Sequence, residues 1–141
     1  MSDIEQYNAI IKIFQEHYAR TYGNRSIEYT KRKIGINNPR EIRMLAYKTG
    51  LIKLRTFCRI IKTTGLIFAF INKLTLRCEL LTFDPDAIYS FLHEKRNARY
   101  MRSKLHMSTN MSKRTNCTVL TMVRAFNELG YYVRIGTVSH G

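Results

Sequence analysis

The strongest constraint on this fold is a change of hydrophobic period that occurs twice. In "LRTFCRIIKTTGLIFAF" (54–70), Leu54, Phe57, Cys58 and Ile61 recur at helical spacing, Gly65 interrupts, and a β-branched and aromatic run follows. Sixty-five residues further on, "VLTMVRAFNELGYYVRI" (119–135) places Val119, Met122, Val123 and Phe126 before Gly130 in the same way. A period near 3.6 requires a helix with one buried face, and the runs after the glycines read as strands. Thr56 aligns with Thr121, Arg59 with Arg124 and Gly65 with Gly130. One helix–glycine–strand unit is thus expected to be used twice.

The remaining elements follow from caps and periods. Ser2 and Glu5 form a capping box for a first helix running to about Tyr22. Its stripe Ile4, Tyr7, Ile11, Phe14 and Tyr18 suits core packing, and its a/d spacing also suits a homodimer seam through helix 4–22. Asn38, Pro39 and Gly50 bracket a second helix. The third spans about Lys53 to Thr63. "LIFAFI" and "LTLRCEL" read as a hairpin with a tight "NK" turn, Leu74, Leu76, Cys78 and Leu80 on the buried face. Asp84 and Pro85 open another helix, which places a domain boundary near 83/84. Ala98, Met101 and Leu105 mark a further short helix. The last helix runs from about Arg114 to Leu129, with Tyr131 and Tyr132 opening a strand. By alternation one of these tyrosines faces inward.

The expected class is therefore α+β and mainly helical, with two small units of three helices and a β-hairpin packed in tandem, 1–83 and 84–141. The segments "LAYKTGLIKLRTFCRII" and "RTNCTVLTMVRAFNELGYYVRI" resemble the helix-turn-helix and third helix of winged-helix proteins. That resemblance implies duplex DNA binding, with a third helix in the major groove.

Charge points the same way. There are 24 Lys and Arg against 10 Asp and Glu, a formal net charge of +14. Such an excess calls for a polyanion, nucleic acid before an anionic membrane. No Asp or Glu interrupts 42–78 or 95–127, so the bases form two acid-free blocks. Opposite the apolar stripe of the last helix stand Arg114, Cys117, Thr121, Arg124 and Glu128, flanked by Thr118. Arg and Thr on such a face suit base edges. Arg99, Arg102, Lys104, Lys113 and Arg114 suit phosphates. In the first half the outward residues Lys53, Arg55, Thr56, Arg59 and Lys62 suit backbone contacts, and Lys73 and Arg77 make the hairpin a candidate wing. Duplex DNA is the favoured partner. RNA in a ribonucleoprotein, or an acidic protein docked on the basic face, are the alternatives.

No catalytic constellation is expected. The four histidines are scattered without metal-ligand spacing, and phosphate-binding glycine motifs and paired carboxylates are lacking. The chain is read as a non-enzyme without cofactor or metal. Three widely spaced cysteines fit a reducing compartment. The polar start and the short apolar runs give an expectation of an intracellular protein without a membrane span.

Overall fold

Ser2 opens α1 (Asp3–Tyr22) through the expected capping box, its Oγ accepting from the Glu5 N–H at 3.1 Å. Tyr7, Ile11 and Phe14 of the stripe are buried within the chain, while Ile4 is exposed. The structure, a computed structural model, describes residues 2–36, 52–95 and 117–138. The helix expected at 38–50 and the short one around Met101 lie outside them.

Sequence reading missed the next element. Helix α2 (Ile27–Ile34) is capped by Ser26 and stopped by Gly35 at φ 77°. Helix α3 (Leu54–Thr64) buries Leu54, Phe57, Cys58 and Ile61 as its period requires, and ends at Gly65 with φ 75°. A residue with a Cβ is strained there, which explains the glycine.

Strands β1 (Leu66–Asn72) and β2 (Cys78–Thr82) form the hairpin, but its turn is longer than two residues. The Asn72 side-chain oxygen accepts from the Leu74 and Thr75 N–H groups at 2.9 and 3.3 Å. That local capture widens the turn to residues 73–77, so β2 starts only at Cys78 and Leu74 and Leu76 leave the alternation. Both leucines are exposed rather than buried, and so is Cys78.

Helix α4 (Pro85–Lys95) starts at Asp84, whose side chain accepts from the Asp86 N–H at 3.0 Å. Helix α5 (Val119–Glu128) begins five residues after the expected Arg114, because Thr118 caps it by accepting from the Thr121 N–H. It leads through Gly130 into β3 (Tyr131–Thr137).

Among the described residues, five helices and three strands make an α+β, mainly helical fold with one antiparallel sheet ordered β2-β1-β3. The boundary at 83/84 falls between β2 and α4, yet elements from both sides share this sheet and one buried core. Phe68, Phe70 and Leu66 of β1 and Tyr131, Val133 and Ile135 of β3 face that core, against α1, α3 and α5. Rings form a spine through it, with centroid spacings of 4.7 Å for Phe14–Phe57, 5.5 Å for Phe57–Phe68 and 4.2 Å for Phe70–Phe126.

The repeat seen in the sequence is a local two-fold in the structure. Leu66 pairs with Thr137, and the residues 65 positions away, Tyr131 and Asn72, pair likewise. The Leu54 N–H donates to the Cys117 carbonyl at 2.8 Å, mirrored by Val119 N–H to Ile52 carbonyl at 3.0 Å. Lys73 N–H to Gly130 carbonyl at 2.9 Å is mirrored by Val138 N–H to Gly65 carbonyl at 3.0 Å. The Lys53–Thr118 bridge and the Ala69–Arg134 pair lie on the axis.

Strand β3 stands at the sheet edge, and Gln6 of α1 closes part of that edge. Its buried side-chain oxygen accepts from the Val133 N–H at 3.0 Å, and its Nε2 donates to Asn127 Oδ1 at 2.7 Å. Gln6→Ala leaves the buried Val133 N–H and the half-buried Asn127 side chain without these bonds, an expected loss of about 1–3 kcal/mol, measurable as a lower urea midpoint. An unchanged midpoint would show that the edge is closed without Gln6.

Candidate nucleic-acid interface

Among the described residues, α2 and α3 together build a basic surface. Lys53, Arg59 and Lys62 are exposed on α3. Arg59 Nη1 donates to the Gly35 carbonyl at 3.0 Å, tying the end of α2 to the middle of α3. On α2, Tyr29 gathers cations: Arg25 lies 4.9 Å, Lys33 5.7 Å and Arg32 6.0 Å from its ring centroid. Attraction to the ring face holds these like charges near one another. Lys31 lies 3.8 Å from the exposed Glu28 carboxylate.

Sequence reading singled out the α3 bases but not Lys31, Arg32 and Lys33. The run "KRK" between the Ser26 cap and the Gly35 stop carries that signal. It stood outside the two acid-free blocks, and the short α2 stripe of Ile27, Thr30 and Ile34 is weak.

Arg55 is placed differently from its neighbours. It lies 3.9 Å from Asp86, at a cleft of about 470 Å³ between α3 and the start of α4. Arg59, Lys62, Phe83, Pro85 and Asp84 complete most of its wall. Asp86 therefore offsets part of the Arg55 charge toward a phosphate.

Lys73 has a structural partner. Its Nζ reaches the Asn127 carbonyl at 3.4 Å near the end of α5 and lies 5.2 Å from the Tyr132 ring centroid. A cation there complements the negative helix end.

On α5, Arg124 is exposed. The Thr118 and Thr121 hydroxyls, expected on base edges, bond each other at 2.9 Å as part of the cap. Cys117, expected on the outward face, is buried, because the chain at 117–118 lies against 52–54. Burial pushes its thiol up to about 12 and raises that of Cys58 further. Arg99, Arg102, Lys104, Lys113 and Arg114 lie outside the described residues.

Alternation is confirmed at Tyr131 and Tyr132: Tyr131 is buried and Tyr132 is not. The Tyr131 hydroxyl donates to Glu79 at 2.8 Å, and Asn72 Nδ2 donates to the same carboxylate at 2.7 Å. The Asn72 bond first, then that of Tyr131, holds this exposed carboxyl below its ordinary 4.5. A depressed folded-state value means stability present above about pH 4.5 and lost as pH falls through the folded value. Tyr131→Phe should flatten that acid limb of a stability–pH curve, and an unaltered limb would remove Glu79 from the account.

Among the described residues, no helix is long and apolar enough to cross a membrane. Comparison of the chain with family models, curated proteins and solved structures finds no match.

Proposed function

We propose that this chain is a nucleic-acid-binding protein, with duplex DNA as its favoured partner, acting as a regulator or replication accessory rather than an enzyme. The observation that carries the reading is the joined α2–α3 surface, with Arg32 and Lys33 on α2 and Arg25 just before it, Arg59 and Lys62 on α3 and Lys53 at its N-terminus, in a chain of net charge +14. Such a surface neutralises phosphates and releases their counterions. The exposed Lys53 ammonium stands at the N-terminal end of α3, where the helix dipole also favours an anion.

In the winged-helix reading, α3 is the groove helix of the first unit and β1–β2 its wing. The second unit contributes α5, with Arg124 outward, and its strand joins the same sheet. Base reading from α5 then depends on Arg124, because the Thr118 and Thr121 hydroxyls engage each other.

The test is fluorescence anisotropy with labelled duplex DNA, single-stranded DNA and structured RNA, each over a range of salt. Tight duplex binding with a steep log–log salt slope supports the reading, and the slope counts the phosphates engaged. A clear preference for RNA replaces it with a ribonucleoprotein role. Weak binding to all three means that the charge serves an acidic protein partner.

A further inference from the structure

The tip of the β1–β2 hairpin carries two leucines in water. Leu74 is 93% exposed and Leu76 is 70% exposed. Folding gains almost nothing from them.

Leu76 also sits in the left-handed region, at φ 59°, and is the one non-glycine residue with positive φ among the described residues. A glycine or asparagine fits that conformation with less strain. Strain and exposure thus coincide on one apolar side chain, as they do where a contact with something else decides the residue.

The tip is held in shape. Asn72 accepts from Leu74 and Thr75 with its side chain and from the Leu76 N–H with its carbonyl at 2.8 Å. The Asn72 N–H donates to the Arg77 carbonyl at 2.9 Å, and the Lys73 N–H donates to Gly130 at 2.9 Å. The turn is therefore braced from within and fixed to the α5–β3 junction. Lys73 and Arg77 flank the leucines in sequence, so the apolar tip has a basic base.

We infer that this tip is a wedge that enters the minor groove of duplex DNA and inserts Leu74 and Leu76 at a base step, while Arg77 engages the adjoining phosphates. Apolar side chains presented on a rigid element open base steps in this way and kink the duplex. The choice of DNA rests on the nucleic-acid reading above and on the chain's charge. A lipid surface fits less well, because interfacial binding scales with buried apolar area and two side chains on a narrow tip supply little.

The probe is a duplex of about 30 base pairs with a central TA step, a flexible step that opens readily. Its adenine is replaced by the fluorescent analogue 2-aminopurine, which brightens on unstacking. Wild-type binding should brighten the probe. Leu74→Ser and Leu76→Asn should each abolish the brightening and weaken binding about tenfold. Asparagine tolerates positive φ, so Leu76→Asn should melt at or above the wild-type temperature, and its loss of binding then reports the wedge rather than unfolding.

Variants that bind and brighten the probe like wild type overturn the wedge. Wild-type binding without brightening also overturns it and leaves the nucleic-acid reading standing. Vesicles of one part anionic to three parts zwitterionic phospholipid provide the other arm. Leu74-dependent vesicle binding without duplex binding overturns both readings, as does binding to neither.

Discussion

Phe68→Ala should cost about 3–5 kcal/mol, the range for deleting a fully buried phenyl group. Phe68 is 0% exposed on the middle strand of the sheet, between Phe57 on α3 and Phe70 along β1. Its removal opens a cavity where the aromatic spine passes from helix to sheet, and both flanking strands hold the backbone against collapse into that space. Domains of this kind are stable by about 5–15 kcal/mol, so the loss is a large share of the total. The check is urea denaturation at constant slope. Ile67→Ala, one residue earlier and on the opposite, half-buried face, serves as the comparison. A much smaller loss at Ile67 is expected, and equal losses would show that the sheet is packed as tightly on both faces.

The second large effect concerns charge. The triple variant Lys53→Gln, Arg59→Gln, Lys62→Gln should lower the log–log salt slope of duplex binding by roughly 3, about one for each phosphate contact removed. Arg124→Gln should leave most of the slope in place. The difference arises because Lys53, Arg59 and Lys62 are exposed on α3 or at its N-terminus, and Arg59 ties that helix to the end of α2, whereas Arg124 lies on α5. A triple variant with the wild-type slope would remove α3 from the interface. A slope that falls only with Arg124 would return the interface to α5.

Some of this was legible in residue order and some was not. Helix α3 and strand β1 could be read directly, since Leu54, Phe57, Cys58 and Ile61 recur at helical spacing and Gly65 stops the pattern. The 65-residue echo was legible too. Its meaning was not, because pairing β1 with β3 is a long-range choice that no local window encodes. The echo was read as two units side by side, and in the structure the copies share one sheet around a two-fold axis. Leu74 and Leu76 were misplaced because alternation alone cannot register that the Asn72 side chain captures the following amides. The α3 bases were visible by type. Their union with Arg32 and Lys33 was hidden, because it depends on how α2 packs and on the Arg59 bond to Gly35.

The shared sheet sets an order of events at the ribosome. Strand β1 can fold back on β2 as soon as the hairpin emerges, but the partner for its other edge, β3, is encoded about sixty residues later. At about 5–20 residues per second, that edge waits some 3–12 seconds. Throughout that interval "LIFAFI", apolar, uncharged and free of proline, presents an open row of amides and carbonyls. Slower translation lengthens that interval, and with it the time in which another chain can pair with the open edge before the last strand arrives.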